Sequence, residues 1–553
     1  MSQLSCSFFI INKKYDKLVQ YQFFKEYHQD SMSVAIIVLK NVASSWVGLA
    51  CQIVVTMLLT PFVIAKLGNE AYGLWLLLQG LVGYYGMVDM GLRAGLTQSI
   101  TRRIAADDIP SVRRHIAAAI PLFLGLGVAV VAIAGLLAIA LPRFVEISDN
   151  IVSVVLPVVL IQALGVAIKL PVTPYGAVLV GLQRYDIANA ISIVTRVVFA
   201  VMTWQALKTG GGLVMLSLIL TLTDFLDGFI RVVVARRLLP EIRRCGLTFD
   251  RSELNEIMHV GVWNFLVGIS RQFIYFSDVI VVAILFSARA VAPYGLAASL
   301  VEYGTKIVVA ATKVLFPTMT HMLKRGDKSA LVDLYVTSTR IVLGLSLSLL
   351  VVGSTWIRPF LTLWLGDSEQ SKELVSQAPL LYAVLSIAFI FVGLQRVGTQ
   401  LMLADNKLKS LSLFLLAEAV FNLLASMIAG KILGPVGIAV GTLVAASLIG
   451  FVLHLPAHAV ILEQRSLSLL GKIAFRPLAF AALLACTMIA MSRGLGPVSS
   501  WFDLAFAGTV SVFASVFLFP IMLSSAQISG LRTLIKIKIS ALLKRFPRPT
   551  QSF

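Results

Sequence analysis

Long apolar runs alternate with short polar connectors through most of the chain, and about fourteen of them reach the roughly 20 residues that a helix needs to cross hydrocarbon. Inside lipid every backbone N–H and C=O must be satisfied within the segment, so runs of this length predict helices. The runs cover 44–65, 71–92, 116–141, 151–182, 188–207, 213–235, 257–285, 293–320, 333–356, 376–403, 411–430, 436–460, 477–491 and 503–523. The expected fold is an all-α polytopic membrane protein. Composition agrees, since 58% of the residues are hydrophobic and only 13% charged, more apolar surface than a soluble chain can hide.

The net charge of +19 raises nucleic acid as a partner until its placement is considered. The basic residues cluster in a leader (Lys13, Lys14, Lys17, Lys25, Lys40), between runs two and three (Arg93, Arg102, Arg103, Arg113, Arg114) and between six and seven (Arg231, Arg236, Arg237, Arg243, Arg244, Arg251). They recur between eight and nine (Lys324, Arg325, Lys328) and in the tail (Arg532, Lys536, Lys538, Lys544, Arg545, Arg548). The intervening connectors carry mostly one each, such as Lys66, Arg143, Lys208 and Arg289. Every second connector is therefore basic, which excludes a nucleic-acid surface and predicts, by the positive-inside rule, that both termini are cytoplasmic.

The 4 cysteines are spread over the leader (Cys6), two runs (Cys51, Cys486) and a cytoplasmic connector (Cys245), so no disulfide is expected. Of the 6 histidines only His454 and His458 stand four apart, and without a neighbouring third ligand they predict no metal site. No cofactor is expected. The stretch before Met32 lacks the length and flanking charges of a secretory signal and reads as an upstream extension of the reading frame.

An internal echo divides the chain. Tyr72-Gly73-Leu74 and Tyr294-Gly295-Leu296 each follow a short external turn at matching points of the topology. The expected organisation is a cytoplasmic leader (1–40), two six-helix bundles (41–240 and 241–460), two additional helices (461–523) and a basic cytoplasmic tail (524–553). Parallel repeats of this kind place a substrate pathway at their interface.

The same region carries a family resemblance. Thr60-Pro61-Phe62-Val63, Leu67-Gly68, Tyr72-Gly73 and Asp89-Met90-Gly91-Leu92 resemble the opening of the polysaccharide transporter (oligosaccharide flippase) family, within the multidrug, oligosaccharidyl-lipid and polysaccharide exporter superfamily. Gly181-Leu182-Gln183-Arg184-Tyr185-Asp186 and Leu315-Phe316-Pro317 fit it as well. The resemblance implies a flippase of lipid-linked oligosaccharide in the bacterial cytoplasmic membrane, serving O-antigen, capsule or exopolysaccharide synthesis. Helices one, two, seven and eight would line its central cavity, and membrane lipids, a polymerase and other assembly proteins would be its partners.

Charges inside the runs are the candidate chemistry, because an ionisable side chain at the bilayer centre costs about 2.5–3.5 kcal/mol on insertion scales. Asn264, Arg271, Tyr275 and Asp278 share one face of run seven, and Glu302, Lys306 and Lys313 share one face of run eight, with Glu302 and Lys306 spaced for an ion pair. Run one adds an uncharged stripe of Ser45, Gln52, Thr56 and Thr60. Lys169, Arg196, Asp224, Asp227, Arg340, Arg396 and Glu418 are further intramembrane charges, and Arg396 has no acid on its own helix. Asp224, Asp227 and Arg231 would neutralise one another, and Lys169 and Arg340 would reach an interface. A lumen holding Arg271, Lys306, Lys313 and Arg396 suits the pyrophosphate of a polyprenyl-linked sugar, since guanidinium and ammonium groups both bind phosphate oxygens. Asp278, Glu302 and Glu418 are then candidates for ion or proton coupling.

An embedded glycan polymerase or ligase would carry a large external loop, and the longest external connector, near 357–375, has no His. No GxxxxGK[ST] motif is present, so ATP is not the energy source of this chain alone. A multidrug exporter would favour carboxylates in its lumen. A peptidoglycan-precursor flippase differs only in cargo.

Overall fold

The computed structural model describes residues 31–523 apart from 86 and 249, so Cys6, most of the leader and the basic tail lie outside the described residues. Among the described residues there is no strand. Helix α1 (Ser31–Tyr85) joins the first two runs and bends at Gly68, whose φ of 81° and ψ of 169° suit only glycine. The second run continues into α2 (Met87–Ala105). Then follow α3 (Ile109–Phe144), α4 (Asp149–Lys169) extended by α5 (Thr173–Gly181), α6 (Tyr185–Lys208) and α7 (Leu213–Leu238). The second half contains α8 (Arg251–Leu285), α9 (Ala288–Thr312), α10 (Leu315–Arg325), α11 (Lys328–Leu365), α12 (Glu369–Ala404) and α13 (Leu408–Leu433). Its last span is α14 (Pro435–Ile449), a π-helical turn at Gly450–His454, and α15 (Leu455–Ile461). Two more helices, α16 (Ser466–Gly494) and α17 (Trp501–Leu518), complete the described chain.

Of these, 12 helical stretches are long and apolar enough to cross a membrane. Counting the two runs joined at Gly68 separately and adding α9 gives the fourteen expected. Helix α9 escapes an apolarity count because Glu302, Lys306 and several Ser, Thr and Tyr residues interrupt it. Exposed side chains such as Leu136, Phe229, Ile432 and Phe517 form the kind of apolar exterior that hydrocarbon solvates. The long external connector expected near 357–375 is largely helix, because α11 continues to Leu365 and α12 already starts at Glu369. A run of apolar residues marks where a helix leaves lipid, not where it ends.

In the first half α1 packs on α6, α2 on α5, and α4 on both α3 and α7. In the second, α8 packs on α13, α9 on α12, and α14 on both α12 and α13. The halves meet where α1 crosses α9 and α2 crosses α8, while α16 and α17 attach to α11. The echoed tripeptides lie at the first of these crossings. A Cβ on Gly73 would sit 1.9 Å from the Ala288 carbonyl oxygen, and one on Gly295 would sit 2.6 Å from Leu76 Cδ1. Each half thus supplies a glycine that lets the other's helix approach. A further tie joins α11 to α1, where Trp364 Nε1 donates to the Met57 carbonyl at 2.8 Å. Pro61, four residues on, has no N–H to offer that oxygen.

Polar contacts close both ends of the interface. At the end bearing the basic connectors, Glu253 of α8 accepts from Arg103 at 2.9 Å, contacts His115 and lies 3.7 Å from Arg114. Asp108 caps α3 beside this group, and hydrogen bonds from Ser111 hold its carboxyl below the usual carboxylate range. At the opposite end Glu373 accepts from Asn69 at 2.8 Å and from Arg289 at 2.9 Å. Glu70 accepts from the Ser148 N–H at 2.7 Å nearby. On the basic side, the Gly181–Asp186 connector is fixed by Lys40, which donates to Asp186 at 2.9 Å, with Gln183 turned to a φ of 56°.

Candidate functional site: the cavity between the halves

Between these two sets of contacts lies a cavity of about 490 Å³. Its wall takes Gln52, Thr56, Thr60, Tyr72 and Gln79 from α1, Arg196 and Thr203 from α6, and Tyr275 and Asp278 from α8. Helix α9 contributes Tyr294, Ser299, Glu302, Tyr303 and Lys306, and α14 contributes Thr442. The hydroxyl and amide stripe of α1 and the charged stripe of α9 face each other here because the crossing of those helices leaves their polar sides inward.

A second cavity of about 260 Å³ adjoins it, sharing Met57, Leu300, Tyr303 and Phe389. Its wall is mainly apolar, with Ile53, Ile307, Val308, Leu349 and Leu350, and Arg396 is its charged group. Arg396 is 8% exposed, donates to the Tyr275 hydroxyl and has its guanidinium 5.8 Å from that ring's centre. Tyr275, a wall residue of the larger cavity, therefore bridges Arg396 to it. The partner that Arg396 lacks on its own helix comes from α8.

The charges in the larger cavity balance, Arg196 and Lys306 against Asp278 and Glu302. Lys306 lies 3.0 Å from Glu302 and 5.3 Å from the Tyr303 ring centre, so it is already paired along its helix. Asp278 is 4% exposed and receives hydroxyls from Thr442 at 2.6 Å, Tyr294 at 2.8 Å and Ser426 at 3.2 Å. A carboxylate with that many donors is a satisfied buried charge. Arg271 borders neither cavity, but it lies within electrostatic reach of Arg396, Tyr275 and Glu418, and its Nε is buried without a hydrogen-bond partner. Glu418 of α13 is buried outside both cavity walls, against Gln395 and Arg396 of α12 and within reach of Arg271 of α8.

Of the other expected lumen residues, Asn264 is not part of either wall, and Lys313 is exposed at the C-terminal cap of α9. Arg196 received less weight from the sequence because nothing on its own helix marks it. Only the packing of α6 on α1 turns it inward. The remaining intramembrane charges have local partners. Lys169 donates to Asp224 at 2.8 Å, Arg231 binds Asp227 at 2.5 Å, and Arg340 donates to the Lys472 carbonyl at 2.8 Å.

A polytopic helical protein whose two halves flank a cavity with charged and hydroxyl groups in its wall is built as a carrier for cargo that crosses between them. Comparison makes the class specific. The family model described as "Polysaccharide biosynthesis protein" matches residues 38–323, more than half of the chain, and the chain belongs to that family. No curated protein matches it by sequence. Among solved structures, an inward-facing multidrug resistance MATE family transporter of the MOP superfamily superposes with a TM-score of 0.63 at 15% identity, covering 77% of this chain and 95% of that one. Lipid II flippase MurJ, in an inward closed conformation, gives 0.61 at 12% identity, covering 88% and 98%. A MOP superfamily transporter from Pyrococcus furiosus, described as having a binding pocket of reverse polarity, gives 0.53 at 14% identity, covering 78% and 96%. At such identities the likeness is one of fold.

Proposed function

We propose that this protein is a flippase that moves a polyprenyl-pyrophosphate-linked oligosaccharide across the bacterial cytoplasmic membrane for surface polysaccharide synthesis. The observation that carries the reading is the pair of adjoining cavities, the larger with charged, hydroxyl and amide groups set among apolar side chains and the smaller almost wholly apolar, with the Arg396–Tyr275 contact between them. An amphipathic cargo needs that division. Hydroxyls, amides and aromatic faces receive a sugar, apolar side chains receive the first isoprene units, and guanidinium groups receive the pyrophosphate that joins them. The family membership supports a role in polysaccharide synthesis. Asp278, which receives hydroxyls from three helices, and the buried Glu418 are the carboxylates left as candidates for ion or proton coupling, since Glu302 is paired with Lys306.

A cationic drug would need an open carboxylate. Glu302 is occupied by Lys306 and Asp278 by hydroxyls, which favours the anionic cargo. The test is transbilayer movement of a fluorescent polyprenyl-pyrophosphate oligosaccharide in proteoliposomes. Movement that is competed by unlabelled lipid-linked sugar and not by organic cations supports the reading, and efflux of organic cations with no movement of the lipid overturns it.

A further inference from the structure

The second half contains a polar cluster that the cavities do not use. Glu418 of α13, His454 in the π-helical turn, His458 of α15 and Tyr335 of α11 are each 3% exposed or less. The Tyr335 hydroxyl lies 3.1 Å from His458 Nδ1, the two imidazole rings are 5.8 Å apart between centres, and His454 Nε2 is 3.9 Å from Glu418 Oε2. Both nitrogens of His454, Nε2 of His458 and Oε2 of Glu418 are buried without a hydrogen-bond partner. Four orphaned polar atoms in so small a space cost stability unless the site has a use.

The backbone is shaped around this cluster. A π-turn, a form concentrated at functional positions, sets His454 and His458 on one side of the span, just before and after Pro456. Gly398 of α12 admits the second ring, because a Cβ there would sit 1.8 Å from His458 Cε1. The cluster also has a direction. Tyr335 is seven residues from Lys328 at the start of α11, about 10 Å along the helix, whereas Glu418 is ten residues into α13, about 15 Å deep. At its deep end Glu418 faces Arg271 of α8 and Gln395 and Arg396 of α12, and Tyr275 of α8 lies within reach of both guanidinium groups. Arg340, the other charge on this part of α11, is engaged by the Lys472 carbonyl.

We propose that Tyr335, His458, His454 and Glu418 form a proton path from the basic-connector end of the second half to a carboxyl beside Arg271 and Arg396. A proton reaching one ring nitrogen of His458 releases the proton of the other toward His454, which repeats the exchange and delivers a proton to the Glu418 carboxylate. Only N–H and O–H bonds form and break, and each ring resets by tautomer exchange. The spacings at His454 require one bridging water or a ring rotation at each transfer. An ionised Glu418 balances one of the two guanidinium groups, and a protonated Glu418 leaves both for an anion, so proton occupancy and anion binding are linked. The proposal deepens the transport reading and rests on it, but its measurement needs no cargo.

The measurement is infrared difference spectroscopy of the full chain in nanodiscs after a step from about pH 8 to about pH 5. The carboxylic C=O band that rises should contain a component that is missing in Glu418→Gln and present in Asp278→Asn. In His458→Gln and Tyr335→Phe that component should reach its usual height but rise at least about tenfold more slowly. A Glu418→Gln spectrum unchanged from wild type, or wild-type rise times in both relay variants, overturns the proposal. Should Glu418→Gln fail to fold, the two relay variants decide alone. The expected infrared changes alongside absent lipid movement would reject the cargo reading and leave the path standing.

Discussion

Arg396 combines three properties that rarely meet in a membrane span: near-complete burial, an unpartnered Nε, and a hydroxyl partner in place of a carboxylate. Arg396→Gln should therefore slow lipid-linked sugar movement at least about tenfold, the loss of a charged hydrogen bond costing about 1.5–3 kcal/mol, with membrane abundance near that of wild type. Arg396→Lys should retain part of the activity, because a point charge still attracts phosphate without the fork geometry. Normal movement by Arg396→Gln would remove the residue from the cargo site. Lys306 stands differently, since its charge is shared with Glu302 at 3.0 Å. If Lys306 touches cargo, the Lys306→Gln and Glu302→Gln double variant stays inactive; if the pair is structural, the double variant recovers what the single one loses. The sequence singles out both residues as charges within apolar runs. It could not rank them, because i, i+4 spacing reveals a partner on the same helix and is blind to one on another.

At the scale of elements, two glycine contacts bring helices close, one against backbone and one against a side chain. Gly73→Val should lower the amount of folded protein in the membrane sharply, because the obstacle is the Ala288 backbone, which cannot turn aside as a side chain can. Gly295→Ala should be milder, since the Leu76 side chain it meets can change rotamer. Thermal unfolding followed by size-exclusion chromatography compares the two, and equal losses would contradict the assignment. The Tyr-Gly-Leu echo was legible in the sequence as a repeat. Its purpose was not, because a glycine's value depends on the helix opposite. Similarly, the kink that joins the first two runs follows from Gly68, but the π-turn at 450–454 has no sequence signature beyond the nearby Pro456.

For the whole molecule, alternation of charge predicts sidedness and the interface predicts movement. In a variant free of native cysteines, Arg243→Cys should react only with reagents that enter the cytoplasm, and Ser368→Cys with impermeant reagents outside; labelling of Arg243→Cys from outside would invert the topology. The Glu373 contact with Asn69, which Arg289 of the same half reinforces, joins the halves at one end, and the Glu253 contacts with Arg103, Arg114 and His115 join them at the other. A rocking carrier opens one set at a time. Glu373→Gln should accordingly raise the rate at which Thr56→Cys, in the cavity wall, reacts with an impermeant thiol reagent, and Glu253→Gln should lower it. Equal rates in both backgrounds would show that these contacts do not gate the cavity.

The sequence by itself determined the membrane class, the succession of spans and the set of charges that lipid must not meet, because each depends on residues close together in the chain: length of an apolar run, density of Lys and Arg in a connector, spacing along one helix. Tertiary structure alone decided which of those charges share a space. It turned Arg196 inward from α6, left Lys313 at an exposed helix end, set Tyr275 between Arg396 and the larger cavity, and gathered Glu418 and two histidines of a later span into one cluster. Those outcomes depend on crossings between helices far apart in sequence, where a glycine's missing Cβ or a proline's missing N–H fixes the approach. Periodicity along one helix does not encode them.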